Sequence, residues 1–148
     1  MNLKIPTMWL CLLATAGTAA ADALPYTGVY ESWGRVCRGA ARLTATTIEW
    51  KSPFSNCKRS SYEVIDIASN NEPPRIAVRI KKRSKGCDFE VIQLEEQQIG
   101  DAPKMWGING YPSLEAYQKR ELPEWKYAVS DDRMRLHCPL DPRDAPRH

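Results

Sequence analysis

From position 26 onward the chain is a succession of short runs rich in β-branched and aromatic residues, broken by turn signals. That rhythm constrains the fold more than any other feature, because it matches a half-buried strand period and little else. It predicts strands over 26–33, 42–44, 47–51, 62–68, 75–82, 87–95, 125–130 and 133–138. The segment 70–74 (NNEPP) is a connector, since neither proline can donate to a ladder. One stretch, 99–124, breaks the pattern with Trp106, Tyr111 and Tyr117 set among prolines and glycines. Within it, 113–122 (SLEAYQKREL) predicts a short helix opened by Pro112 and Ser113 and stopped by Pro123. Glu115 and Lys119 are spaced to pair along it. The expected fold is all-β: a small antiparallel barrel or sandwich of about eight short strands, with this one helix in an insertion.

Two hairpins can be registered from side-chain pattern alone. A two-residue turn at Ser84-Lys85 places Ile80 opposite Phe89 and Val78 opposite Val91 on one face. On the other face it sets Lys81 against Asp88 and Arg79 against Glu90. A turn at Asp131-Asp132 pairs Val129 with Met134, Tyr127 with Leu136, and Trp125 with Cys138.

The first residues read as an export signal. Lys4 precedes an apolar run over 8–16 (MWLCLLATA), which is followed by small residues. The run is too short to span about 30 Å of hydrocarbon. Ala19 with Ala21, or Ala21 with Ala23, meets the cleavage requirement, so the expected organisation is a signal peptide over 1–21, one β domain over 22–140 and a flexible tail over 141–148. Losing Lys4 leaves 20 basic against 18 acidic residues, a nearly neutral domain. No transmembrane segment is expected in the mature chain, and the location is periplasmic or extracellular.

Removing Cys11 with the signal leaves Cys37, Cys57, Cys87 and Cys138, an even set in an oxidising compartment. Two disulfides are expected rather than a zinc site, because no C-x-x-C pair is present. Face parity directs Cys87 and Cys138 to the core, which favours Cys87–Cys138 and, by elimination, Cys37–Cys57.

Signatures of catalysis are sparse. There is no G-x-S-x-G, no H-E-x-x-H, no phosphate-binding glycine loop and no free mature thiol. Of two histidines, His148 ends the tail and His137 falls on the outer face of the last strand. Haem ligation by Cys138 would need a thiolate that oxidation removes. Glu31, beside Trp33, is the acid least explained by a cross-strand partner or a turn. No catalytic residue, metal or cofactor is therefore assigned, and a non-enzyme is expected.

Two surfaces remain as contacts for a partner: Trp106, Tyr111 and Tyr117 in the insertion, and the charged hairpin tip formed by Lys81, Lys82, Arg83 and Lys85. Such surfaces suit an exported binding protein, whether inhibitor, immunity or envelope-interaction module, that meets a protein or an acidic envelope component. Nucleic acid is disfavoured, since no basic-aromatic stripe follows a strand. The Gly28-x-Tyr30 start and the strand-loop-hairpin opening resemble small lipocalin-like barrels over about the first thirty mature residues. That resemblance implies the alternative of a carrier for a small apolar ligand, with the insertion as a lid. A carrier needs a lumen of roughly 300 Å³ or more. An interior filled by Trp33, Trp50, Phe89 and Tyr127 would speak against it.

Overall fold

Alternation of side chains becomes a wall as soon as successive strands pair with their neighbours. In the computed structural model, which describes residues 26–68, 73–98, 100–122 and 136–141, they do so in simple sequence order. The strands are β1 (Gly28–Ser32), β2 (Gly39–Leu43), β3 (Thr47–Lys51), β4 (Asn56–Ala68), β5 (Arg75–Ile80), β6 (Val91–Gln97), β7 (Met105–Tyr111) and β8 (Leu136–Pro139). Every pairing is antiparallel. A bridge from Ser32 to Leu140 and a 2.8 Å bond from the Asp141 N–H to the Glu31 carbonyl bring the last strand back to the first. The result is a nearly closed up-and-down barrel. Residues 1–25, 69–72, 99, 123–135 and 142–148 lie outside the described residues, and with them the signal peptide, most of the 70–74 connector, the 125–130 strand, the turn at Asp131-Asp132, the first half of the 133–138 strand and most of the tail.

The interior is a packed core. Tyr30 on β1, Leu43 on β2, Ile48 and Trp50 on β3, Ile76 and Val78 on β5, Ile92 and Leu94 on β6 and Ile108 on β7 all point inward and are buried. Trp50 stacks on Phe89 with ring centroids 5.0 Å apart. Gly110 makes room for that ring, because a Cβ there would lie 2.6 Å from Phe89. The long β4 carries a bulge between Val64 and Asp66, which lets one strand serve two differently inclined parts of the wall.

Helix α1 (Leu114–Gln118) lies against the outside of this wall. Ser113 caps it as expected, its hydroxyl accepting the Ala116 N–H at 3.1 Å. Five residues cannot hold a helix alone. Ala116 and Tyr117 therefore pack on Ala77, Val91 and Tyr111 as a second apolar cluster.

Four expectations need correction. The segment 105–111, read as part of an irregular insertion, is a central strand between β6 and β8. The β5–β6 register is displaced by one residue: Val78 faces Ile92, and Arg79 faces Val91. A slip of one exchanges the faces, so Val78 enters the barrel while Val91 joins the cluster under the helix. Between the two strands, 81–90 does not continue a hairpin. It folds onto β4 through Lys81 N–H to the Ser61 carbonyl (3.0 Å) and Asn56 N–H to the Gly86 carbonyl (2.7 Å).

That fold-back also corrects the disulfides, which are Cys37–Cys138 and Cys57–Cys87. Parity directs Cys87 and Cys138 inward, and all four cysteines are indeed buried in the core, but parity does not say which strands are neighbours. Barrel closure brings β8 beside the end of β1, so the loop carrying Cys37 meets Cys138. The segment 81–90, lying on the start of β4, carries Cys87 to Cys57. Two disulfides fit an oxidising compartment. Among the described residues no helix is long and apolar enough to cross a membrane.

Candidate functional site

In a meander, the connections that leave odd-numbered strands share one end of the barrel. Here these are 33–38, the turn after β3, 81–90, and the connection after β7, whose described part, α1, turns back along the outer wall toward Asp66 and leaves the first three to form the end itself. The stretches 33–38, 51–59 and 81–88 hold two, three and four Lys or Arg residues against one acid, Asp88. Connections 44–46 and 98–104, at the opposite end, carry only Asp101 and Lys104. A chain of small net charge thus concentrates its excess of cations at one end.

Local hydrogen bonds hold these loops in shape. Ser52 and Ser55 are buried and close a tight turn, with Ser52 N–H to the Ser55 carbonyl at 2.8 Å and Ser55 N–H to Ser52 Oγ at 3.1 Å. Pro53 and Phe54 occupy its two central positions, where proline's fixed φ is suited. In the β1–β2 loop, Gly34 takes φ +100°, and its carbonyl accepts the N–H groups of Cys37 and Arg38 at 3.2 and 2.9 Å. Cys37 is thereby turned inward to its disulfide while Trp33 and Val36 are left outside. Ser84 Oγ accepts the Lys58 N–H at 3.0 Å and donates to the Asn56 carbonyl at 3.1 Å, tying the third loop to the second. The Cys57–Cys87 bridge reinforces that junction.

The surface so formed is both cationic and apolar. Trp33 is 58% exposed, Val36 47% and Phe54 68%. An open groove between the first two loops is lined by Gly34, Arg35, Arg38 and Pro53. Lys81, Lys82, Arg83 and Lys85 are all exposed, though on a segment folded onto β4 rather than at the tip of a hairpin. Among the described residues no ion pair engages Arg35, Arg38, Lys82, Arg83 or Lys85, whereas Arg79 is held by Glu90 at 2.7 Å and Glu63 at 3.6 Å. Sequence reasoning found this charged segment but missed Trp33, Arg35, Val36, Arg38 and Phe54. The order of strands is what brings them beside it.

The aromatic contact surface expected in the insertion is corrected. Trp106, Tyr111 and Tyr117 are 6%, 3% and 5% exposed. Trp106 faces the interior near Tyr26, and Tyr111 meets Tyr117 edge-on beneath α1. Trp106 and Tyr111 are core residues because β7 is flanked on both edges and covered on both faces, and Tyr117 because α1 packs it onto that wall.

Polar chemistry on the outer wall is satisfied within the wall itself. The Tyr111 hydroxyl donates to Gln93 Oε1 at 2.8 Å, Gln93 Nε2 to Glu95 Oε2 at 2.9 Å, and Asn109 Nδ2 to Glu95 Oε1 at 2.7 Å. His137 Nδ1 lies 2.7 Å from Asn109 Oδ1. Its imidazole rests on Gly107, where a Cβ would stand 2.7 Å away. Gln93 and Asn109 are buried, and these bonds offset the cost of desolvating them. Glu31 is exposed on β1. Among the described residues no group of three His, Cys, Asp or Glu side chains could hold a metal ion.

A second cluster fastens the helix. Asp66 Oδ2 accepts from Arg75 Nε at 2.8 Å and the Tyr117 hydroxyl at 2.6 Å, with Arg120 at 3.6 Å and stacked 4.0 Å above the Tyr117 ring. Burial by itself would raise the Asp66 pKa, but hydrogen bonds from Arg75 and Tyr117 and the charges of Arg75 and Arg120 outweigh it and hold the carboxyl below its usual range. Tyr117 is pushed up by burial and by its bond to Asp66. An acid with a depressed folded pKa stabilises fully above its unfolded pKa, and that stability is lost as pH falls through the folded value. Urea midpoints measured across the acid range are therefore expected to fall with pH, and to fall less steeply in Asp66→Asn. An equal slope in the variant would assign the acid limb to other groups.

Comparison with known protein families, curated proteins and solved structures finds no match to this chain.

Proposed function

We propose that the protein is an exported, non-enzymatic binding module whose contact surface is the cationic end of the barrel and whose partner is acidic. The observation that carries this reading is that Arg35 and Arg38 on the first loop and Lys82, Arg83 and Lys85 on the third make no ion pair among the described residues, beside exposed Trp33 and Phe54. Unpaired charges on rigid loops attract an opposite surface without reorganising first. Export to the periplasm or outside the cell is supported by the signal-like residues 1–21 and the two disulfides. The carrier alternative is not favoured, because Trp50 and Phe89 stack inside the barrel. Trp33 lies outside it, and Tyr127 is outside the described residues.

The test uses a polyanion of known chemistry. On an immobilised sulfated polysaccharide, Arg83→Glu with Lys85→Glu is expected to weaken binding by about tenfold or more at low salt. Lys104→Glu with Lys119→Glu changes the net charge equally but lies away from this end, and is expected to leave binding near the parent's. Equal weakening by both pairs would show that net charge, rather than the barrel end, governs attachment, and the reading would fail.

A further inference from the structure

Phe54 and Trp33 are the most exposed large apolar side chains among the described residues, and both stand at the cationic end, with Val36 beside Trp33 on the same loop. Phe54 occupies the tip of a turn whose flanking serines are both buried and hydrogen-bonded. The same constraint that makes the turn rigid keeps the ring from folding back. Trp33 and Val36 are held outward by the loop that sends Cys37 to its disulfide and Ser32 Oγ to the Cys37 carbonyl at 2.6 Å. Each loop thus presents large apolar groups at its tip, with Arg35 and Arg38 lining the groove beside Pro53, and Lys82, Arg83 and Lys85 on the third loop, which Ser84 and the Cys57–Cys87 bridge tie to the second.

We propose that this end of the barrel docks on a bilayer surface rich in anionic phospholipid, with Trp33 and Phe54 entering the headgroup boundary and the surrounding cations meeting lipid phosphates. The inference rests on the reading that the cationic end is the contact surface, and it names the acidic partner. A pair of exposed aromatic tips among cations suits a soft surface that closes around them, since a folded partner would need matching pockets for both. Tryptophan is the side chain that partitions best to the membrane–water boundary, having an apolar body and one polar N–H. A second copy of the chain is an unsuitable occupant, because two such ends repel. Cations near an anionic leaflet each strengthen binding by roughly fivefold, and exposed aromatic area adds to this when it leaves water.

Sedimentation of the purified protein with vesicles of phosphatidylglycerol and phosphatidylcholine in equal parts, against vesicles of phosphatidylcholine alone, tests the proposal. The protein is expected to sediment with the anionic vesicles only. In a Trp125→Phe background of the chain lacking residues 1–21, tryptophan emission is expected to shift to shorter wavelength on binding, and the shift to vanish with Trp33→Ala, since Trp50 and Trp106 are already buried. Trp33→Ala and Phe54→Ser are each expected to weaken vesicle binding by at least about tenfold while leaving the melting temperature near the parent's, because both side chains are exposed. Vesicle binding unaffected by both substitutions, with Trp33 emission unmoved, would overturn the inference. Failure to bind vesicles while the sulfated polysaccharide is still held at this end would also overturn it, yet leave the functional reading standing. Failure to bind either would remove both.

Discussion

Replacing Cys37 and Cys138 together by alanine is expected to lower the unfolding free energy by about 4 to 5 kcal/mol, given a sequence separation of 101 residues. The estimate comes from the chain entropy that so long a loop removes from the unfolded state. Topology gives a second reason for a large effect. Seven strand pairs in the barrel are ladders of four or more paired residues, whereas among the described residues the seam between β1 and β8 has the Ser32–Leu140 bridge and the Asp141–Glu31 bond. The disulfide crosses beside that seam, so its loss opens the barrel where backbone pairing is thinnest. The Cys57–Cys87 bridge closes a loop of only 30 residues, so its removal is expected on the same model to cost about 3 to 4 kcal/mol. Its consequence should also be more local, freeing the junction between the second and third loops. Urea unfolding of both double variants decides the matter. A smaller loss for the Cys37–Cys138 pair than for the Cys57–Cys87 pair would show that the seam is held by something other than this bridge.

Trp50→Ala is expected to cost about 3 to 5 kcal/mol. Trp50 is 1% exposed, stacks on Phe89, and lies on β3 between β2 and β4, so its neighbours cannot collapse into the space without moving the wall. Its indole N–H is buried and has no hydrogen-bond partner among the described residues. Trp50→Phe should therefore cost much less than Trp50→Ala, since it removes an unsatisfied donor together with part of the ring. Urea midpoints for the two variants provide the measurement. Similar losses in both would mean that the N–H, rather than the packed volume, contributes the stability.

How far the chain can be read without its fold differs from element to element. Thr47–Lys51 was legible to the residue, because Ile48 and Trp50 alternate with polar neighbours and turn residues lie on both sides. Ser113 was legible as a cap, since its role is satisfied within one turn of chain. β7 was not, because Gly107, Asn109 and Gly110 are turn formers by local rule. Here they are small or polar because an imidazole, a carboxylate and a phenyl ring from other segments lie against them. The β5–β6 register failed by one residue for a related reason. Local charge pairing was satisfied either way: Arg79 and Glu90 still form their ion pair. What chose the register was the fold-back of 81–90 onto β4.

The sequence by itself determined the class of the fold, the helix cap, the exposed charged segment and the presence of two disulfides, all of which depend on neighbours a few residues away or on counting. Tertiary structure alone decided which cysteines pair, which face each strand buries, and that Trp106, Tyr111 and Tyr117 are core while Trp33 and Phe54 are surface. Those outcomes depend on which strands become neighbours around a closed barrel. Face parity is a property of one strand, but adjacency is a property of the whole circuit, and here it is settled only where β8 returns to β1.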